Sequence, residues 1–464
     1  MAINLRRPPV DVLHLPTIHD GLSYIGQHPD WIIRPAEAAK IRMFAESDNP
    51  AMRAKQKRKI NLESRGLPDG AMEIRTSTVV LEDARFANGL AQISDRFWLN
   101  GASGRRVRTK FEAKNPEPWR LKRYHRALER CHANGPARIS TCDDGITGKL
   151  DIAIELKNGF NYYHFSTETL GSLAHYVSDG TTVPITLHLP QKSEIKDFVK
   201  RFIDSVFPGL ADRVRFEHRP KHYDRVRSVY SHRHLLYCAD DMSVEKVLSD
   251  PDLDPRWSDI IRNPGRYKKM EMLSYDMSLR LLREAGLAQI QTAKTAPMPK
   301  LIWMGRDEGG EARARGIEGH EPLLEELGAL GFEQIAFELL SPLEQISAMN
   351  GADVVIAPHG AGLTNMIYAK PGATVVEIGT RQTQLHRWGD FLKCAHVSRC
   401  RYDTVFADIP GVDDLAKVPK MSAGHRGVKF GRNAIDRVIA IAKEAVTRAD
   451  HAPSRGRQRQ VKAI

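Results

Sequence analysis

One stretch constrains the fold more than any other. Residues 352–379 read Ala-Asp-Val-Val-Ile-Ala-Pro-His-Gly-Ala-Gly-Leu-Thr-Asn-Met-Ile-Tyr-Ala-Lys-Pro-Gly-Ala-Thr-Val-Val-Glu-Ile-Gly. An unbroken apolar run ends at Ala357 and is too short for a helix, so it reads as a strand buried on both faces. The chain then turns through Gly360-Ala361-Gly362 into a short helix, stops at Pro371-Gly372 and enters a second apolar run, Ala373–Ile378. Strand, tight turn, helix and strand at this spacing fit a parallel sheet with helical crossovers. Small residues in the turn let backbone N–H groups approach a ligand, and a helix N-terminus adds orphan donors and partial positive charge. Together these suit a phosphate or diphosphate.

The same alternation extends on both sides. After the Pro-rich link 295–299 come Lys300–Met304 (strand), Glu321–Leu330 (helix), Phe332–Phe337 (strand) and Pro342–Asn350 (helix). Arg432–Arg448 is a last amphipathic helix. Earlier, Thr76–Leu81 and Gly89–Leu99 alternate around Asn88-Gly89, a hairpin signal, and residues 117–133 are basic and helix-forming. Asp151–Leu156, Pro184–Leu189 and Val226–Cys238 read as strands, with helical spacing toward Tyr176 and over Lys192–Val206. The expected organisation is an irregular N-terminal extension (1–70), an α/β domain (71–294), a second α/β domain (295–450) and a basic disordered tail (451–464).

The chain has 464 residues and a net charge of +12, but residues 151–450 carry only −1. The excess lies in residues 1–150, at +9, and in the tail, at +4. Lys/Arg runs at 53–59 and 105–110 carry much of it, and no finger, basic zipper or RNA-stacking signature accompanies them. Nucleic acid is therefore not expected as a partner, whereas an anionic membrane surface suits such ends. No run of roughly 18 apolar residues is present, nor an apolar signal-peptide core. Five cysteines without a C-x-x-C pair argue against a disulfide framework or structural zinc site. A cytoplasmic location, peripheral at the inner face of the plasma membrane, is expected.

Two phosphate-binding templates fail. The dinucleotide fingerprint needs a third glycine where Asn365 stands, which disfavours a dinucleotide-dependent oxidoreductase. A P-loop at Gly148-Lys149 lacks its first glycine, replaced by Asp143, and its hydroxyl, replaced by Leu150. The residues instead resemble the signature of glycosyltransferase family 61, whose members include bacterial polysaccharide enzymes, plant xylan-decorating enzymes and animal protein O-linked N-acetylglucosaminyltransferases. Pro-His-Gly-Ala-Gly-Leu-Thr-Asn-Met followed by Pro-Gly-Ala-x-Val-Val-Glu carries the resemblance. Asn161-Tyr-Tyr-His164 with Glu168 and Leu170, Arg306 with Arg313, Arg315 and Ile317, and Ser341-Pro-Leu-Glu-Gln345 agree with it in order. It spans about residues 75–405 and is strongest over 300–380. Two departures stand out: Gly171-Ser172 replaces the family's Pro-Arg, and Asp307 the second arginine of an Arg-Arg pair. They leave room for a non-catalytic nucleotide- or glycan-binding relative.

The resemblance implies a GT-B-like α/β architecture, two facing Rossmann-like domains with the nucleotide-sugar held by the C-terminal one. It also implies an inverting transferase with a nucleotide-sugar donor, UDP-linked by preference, and a glycan or lipid-linked acceptor. On that reading Gly360, Ala361 and Gly362 offer backbone donors to the diphosphate, and Thr364 and Asn365 either add side-chain contacts or cap the short helix. His359 faces phosphate or sugar, Arg306 and Arg315 the leaving phosphate, and Glu377 the ribose hydroxyls. His164 and Glu168 lie four apart, one helical turn, and are the catalytic candidates in the acceptor-side domain, His164 first as general base. Asp250-Pro-Asp-Leu-Asp254 reads as a surface loop, and His218, His222, His232 and His234 have Arg/Lys flanks that oppose cation binding. No obligatory metal or cofactor is expected.

Overall fold

The computed structural model describes residues 9–113, 138–159, 161–237, 242–293, 295–306, 316–412, 418–421 and 424–451, with a few positions between 114 and 137. The basic stretch 117–133 falls mostly outside them, and the tail expected to be disordered almost wholly so.

Two large sheets dominate. In the first, Ile152–Glu155, Ile185–His188 and Val214–Glu217 run parallel in that order, with register Ile152↔Ile185 and Ile185↔Val214. The helices Tyr162–Glu168 and Asp197–Val206 lie in the crossovers between them, as parallel strands require. Lys221–Ser231 joins this parallel edge at Ile152↔Arg227 and pairs antiparallel with Thr76–Ala87. The latter turns at Asn88 and Gly89, with φ of 57° and 62°, into Leu90–Ile93. Two consecutive positive-φ residues are what a tight hairpin demands. The first half is thus a Rossmann-like parallel layer fused to an antiparallel meander.

The second sheet is wholly parallel. Its order is Glu333–Ala336, Leu301–Gly305, Val354–Pro358, Thr374–Thr380, Arg401–Ala407, Lys40–Ala45. Its strands bury side chains on both faces: Val354 and Ile356 pack under the helices Glu321–Ala329 and Arg432–Asp450, Val355 and Ala357 on the opposite face. That second face shares one continuous apolar core with the parallel layer of the first half, which locks the halves together.

The sixth strand corrects the reading of residues 1–70 as an extension. Lys40–Ala45 closes the edge of the second sheet, Arg42 sits opposite Asp403, and its guanidinium grips that carboxylate at 2.8 and 2.6 Å. Asp403 is fully buried, so without Arg42 it would leave an uncompensated charge. Residues 22–25 and 33–36 add strands elsewhere, and the helix Pro50–Arg65 packs over the new edge. Lys and Arg within a six-residue run hid an edge strand whose partner lies far along the chain.

Candidate functional site

Strand order in the second sheet reverses at one place. From Leu301–Gly305 the chain moves outward to Glu333–Ala336, then crosses back to Val354–Pro358 on the other side. Open α/β sheets bind ligands at the carboxyl ends of strands where the order reverses. Arg306 leaves one of these two strand ends, and His359 and Gly360 leave the other.

A cavity of about 290 Å³ opens there. The second sheet lines it with Arg306, Gly360, Ala361, Gly362 and Asn365; Tyr162, Phe198 and Phe202 come from the first half. Burial lowers the Arg306 guanidinium from the usual arginine range, partly opposed by Glu338. A Cβ on Gly360 would stand 2.5 Å from Arg306 Nη2. The backbone there is extended, φ −174°, so this glycine serves close approach and not a left-handed turn. Gly362 is less tight, a Cβ there meeting Met304 Sδ at 3.1 Å. The helix after the turn, Ala361–Tyr368, is 3-10 and has no side-chain cap at Gly360. Its first N–H groups therefore face the cavity mouth without intrahelical acceptors.

The remaining donor-side candidates take different positions. Glu377 is 3% exposed: one oxygen accepts from His359 Nδ1 and the other from the Tyr402 hydroxyl. Each oxygen is engaged inside the protein and the side chain is buried outside the cavity lining, which places Glu377 to orient His359 and not to meet ribose. Burial, with the Glu377 charge beside it, raises the Tyr402 phenol well above its usual range. The His359 ring stacks on His425 at 5.5 Å and 19°, and meets Phe391 edge-on at 5.5 Å. Thr364 is fully buried with its hydroxyl unpaired among the described residues, so it makes no contact with the cavity. Asn365 spends its amide on Tyr162 (2.6 Å), Gln345 (3.2 Å) and the Gly362 carbonyl (3.2 Å), tying the halves together. Arg313, Arg315 and Asp307 lie outside the described residues.

Across from this crevice, Asn161 caps the helix Tyr162–Glu168 by accepting from the His164 N–H at 3.2 Å. One turn on, His164 Nδ1 and Glu168 Oε1 are 2.5 Å apart, and Arg106 Nη2 is 3.8 Å from the other oxygen. Burial pushes the Glu168 carboxyl up, but His164, Arg106 and Lys393 outweigh it and hold it below the usual carboxylate range. Glu168 also lines a polar cleft of about 70 Å³ with Ser172, Arg233, Glu271, Asp276 and Lys393. Tyr163 connects the two places. Its ring lies 5.2 Å from His164 and 5.5 Å from Phe391, the residue that also touches His359. Its hydroxyl donates to the Asp390 carbonyl at 2.7 Å.

Sequence reasoning passed over Tyr162, Tyr163, Arg106, Lys393 and Tyr402. The two tyrosines lie inside the Asn161–His164 motif, directly before the histidine. Arg106 was hidden in a basic run, and Tyr402 lies on a strand beyond the motif. The Gly171 departure has a packing reason: a Cβ there would collide with the Ser278 carbonyl. His232 and His234 are buried. His232 hydrogen-bonds Tyr24 and the Arg75 carbonyl, each at 2.9 Å. Asp254 is paired with Arg256 in a surface turn, as expected. Among the described residues no three His, Cys, Asp or Glu side chains converge on a metal-sized site.

A parallel sheet with a crevice at its reversal of strand order, packed against a second α/β layer that carries a histidine–carboxylate pair, is an α/β architecture of Rossmann-like build. Residues 162–376 match the family model Glycosyltransferase 61. That match marks a glycosyltransferase family 61 domain in this stretch and supports glycosyltransferase activity. No curated protein matches the chain.

Proposed function

We propose that the chain transfers a sugar from a nucleotide-sugar, UDP-linked by preference, to a hydroxyl of a bacterial surface glycan or its lipid-linked precursor, with inversion at the anomeric carbon. The two halves act as the facing domains of a GT-B enzyme. The diphosphate lies against Arg306 and the amides after Gly360, and the acceptor enters the polar cleft beside Glu168. His164 Nε2 takes the proton of the acceptor hydroxyl as its oxygen bonds to the anomeric carbon. The bond to the diphosphate breaks, and the nucleoside diphosphate leaves toward Arg306. Glu168 fixes the imidazole through Nδ1. The reading requires no metal: Arg306 and backbone donors meet the negative charge that develops on the leaving group.

The observation that carries this reading is Arg306 packed on the Gly360 backbone at the reversal of strand order. Nucleoside diphosphates should raise the melting temperature of the wild type, because a ligand of the folded state stabilises it by mass action. Arg306→Ala should weaken nucleoside diphosphate binding and shrink that shift at a given ligand concentration. An undiminished shift in Arg306→Ala, or a shift seen only with manganese present, would overturn the donor assignment or its metal independence.

A further inference from the structure

The helix Pro50–Arg65 carries six Lys/Arg against one Glu. Its inner face is fixed: Met52 and Gln56 are buried, and Gln56 bonds the Ser47 N–H and the Ala407 carbonyl, each at 3.2 Å. Its outer face presents Lys55, Arg58, Leu62 and Arg65, at spacings of three, four and three that align them along one stripe. Leu62 is 66% exposed in the middle of these cations. Glu63, the one acidic residue of the helix, is taken by Lys59. Lys57, Arg58 and Arg65 form no ion pair among the described residues.

Beside the stripe lies an open groove of about 480 Å³, with Arg53, Lys57 and Arg437 on its rim and Met43, Phe44 and Ile60 among its walls. Its acidic residue, Glu46, is occupied by Arg437 at 2.7 Å. The helix, about 24 Å long, starts at the edge of the second sheet. It ends against the first half, where Arg256 Nη1 and Lys269 Nζ donate to the Arg65 and Gly66 carbonyls, each at 3.2 Å. It therefore straps one flank of both halves.

We propose that this flank docks on an anionic bilayer. Lys57, Arg58 and Arg65 meet lipid phosphates, and Leu62 enters the headgroup layer. Cations around one exposed leucine, next to a groove with a basic rim and apolar walls, complement a surface that is itself anionic above and apolar below. The proposal extends the reading of a lipid-linked acceptor, but its test needs no turnover and so fails or succeeds separately.

The test is co-sedimentation of the full chain with vesicles of phosphatidylcholine alone or with phosphatidylglycerol added. The wild type should bind only the anionic vesicles and be released by salt. Lys57→Ala/Arg58→Ala/Arg65→Ala should lower the partition coefficient on the order of a hundredfold, and Leu62→Ser should weaken the part that resists salt. The altered side chains are exposed, and an unchanged melting temperature confirms the fold. Equal binding to neutral vesicles, unchanged binding by the triple variant, or loss of all binding on deleting residues 451–464 alone overturns the proposal. So does a preference for a soluble acidic polysaccharide over the vesicles.

Discussion

Gly360→Ala tests the donor site most sharply, because its effect should pass through a neighbour. The added methyl would stand 2.5 Å from Arg306 Nη2, where no real contact is tolerated, so the guanidinium must swing away. The backbone itself has no objection, since φ of −174° suits alanine. Fold stability should change by less than about 1 kcal/mol, the loss of a glycine cap offsetting a stiffer unfolded chain. Displacing one charge-assisted hydrogen bond from the diphosphate should cost about 1.5–3 kcal/mol. That corresponds to roughly 10- to 150-fold weaker binding of a nucleoside diphosphate, measurable by titration calorimetry. A double-mutant cycle isolates the cause. In an Arg306→Ala background, adding Gly360→Ala should cost almost nothing further. If the two losses add, the glycine acts on the ligand by some route other than Arg306, and the reasoning fails.

Converting His164 to Ala should abolish sugar transfer while leaving nucleoside diphosphate affinity nearly intact; loss of that affinity instead would remove its role as general base. Gly171→Ala drives a methyl into the Ser278 backbone, which cannot move like a side-chain tip, and should destabilise by about 1–3 kcal/mol in urea unfolding. An unchanged midpoint would show that the 170–176 turn is loosely held. Acid should unfold the protein early. Burial lowers His14, His188, His232 and His396 from 6.5 to about 4, and His234 to about 3. Below pH 6.5 the unfolded chain therefore binds protons that the folded one refuses, so stability is full above that pH and falls toward pH 4. Five such imidazoles give an upper slope of about 7 kcal/mol per pH unit, against total stabilities of about 5–15 kcal/mol. A melting temperature that stays flat from pH 7 to 4.5 would contradict this accounting.

The second sheet was legible because its strands are continuous Val/Ile runs separated by helices and punctuated by Gly and Pro. Those signals are local, and they located Arg306 and the Gly360 turn. Side-chain destinations were less legible. Glu377 ends its strand beside the turn and looks like a ribose ligand, yet Tyr402 and His359, brought in by neighbouring structure, enclose it. Asn365 matched a motif position, but its partner Tyr162 lies in the other half. The Lys40–Ala45 strand could not be read, because its alternation of Lys40 and Arg42 with Ile41 and Met43 ends after four residues at Phe44-Ala45, and its pairing partner lies far along the chain. One of those, Arg42, is explained only by Asp403 on the adjacent strand.

That last strand also sets the order of assembly. The sheet that carries Arg306 and Gly360 is built from residues beyond 300, except for one edge supplied by residues 40–45. Emerging from the ribosome, the early strand must wait for most of the chain before its partner Arg401–Ala407 exists. The pairing is among the most sequence-distant in the molecule, and such contacts form slowly. A fragment beginning near residue 295 would keep every motif of the second half yet leave Arg401–Ala407 as a bare edge, open to another copy. The strand that looked least like structure is thus the one that makes the donor-side half dependent on the opening of the chain.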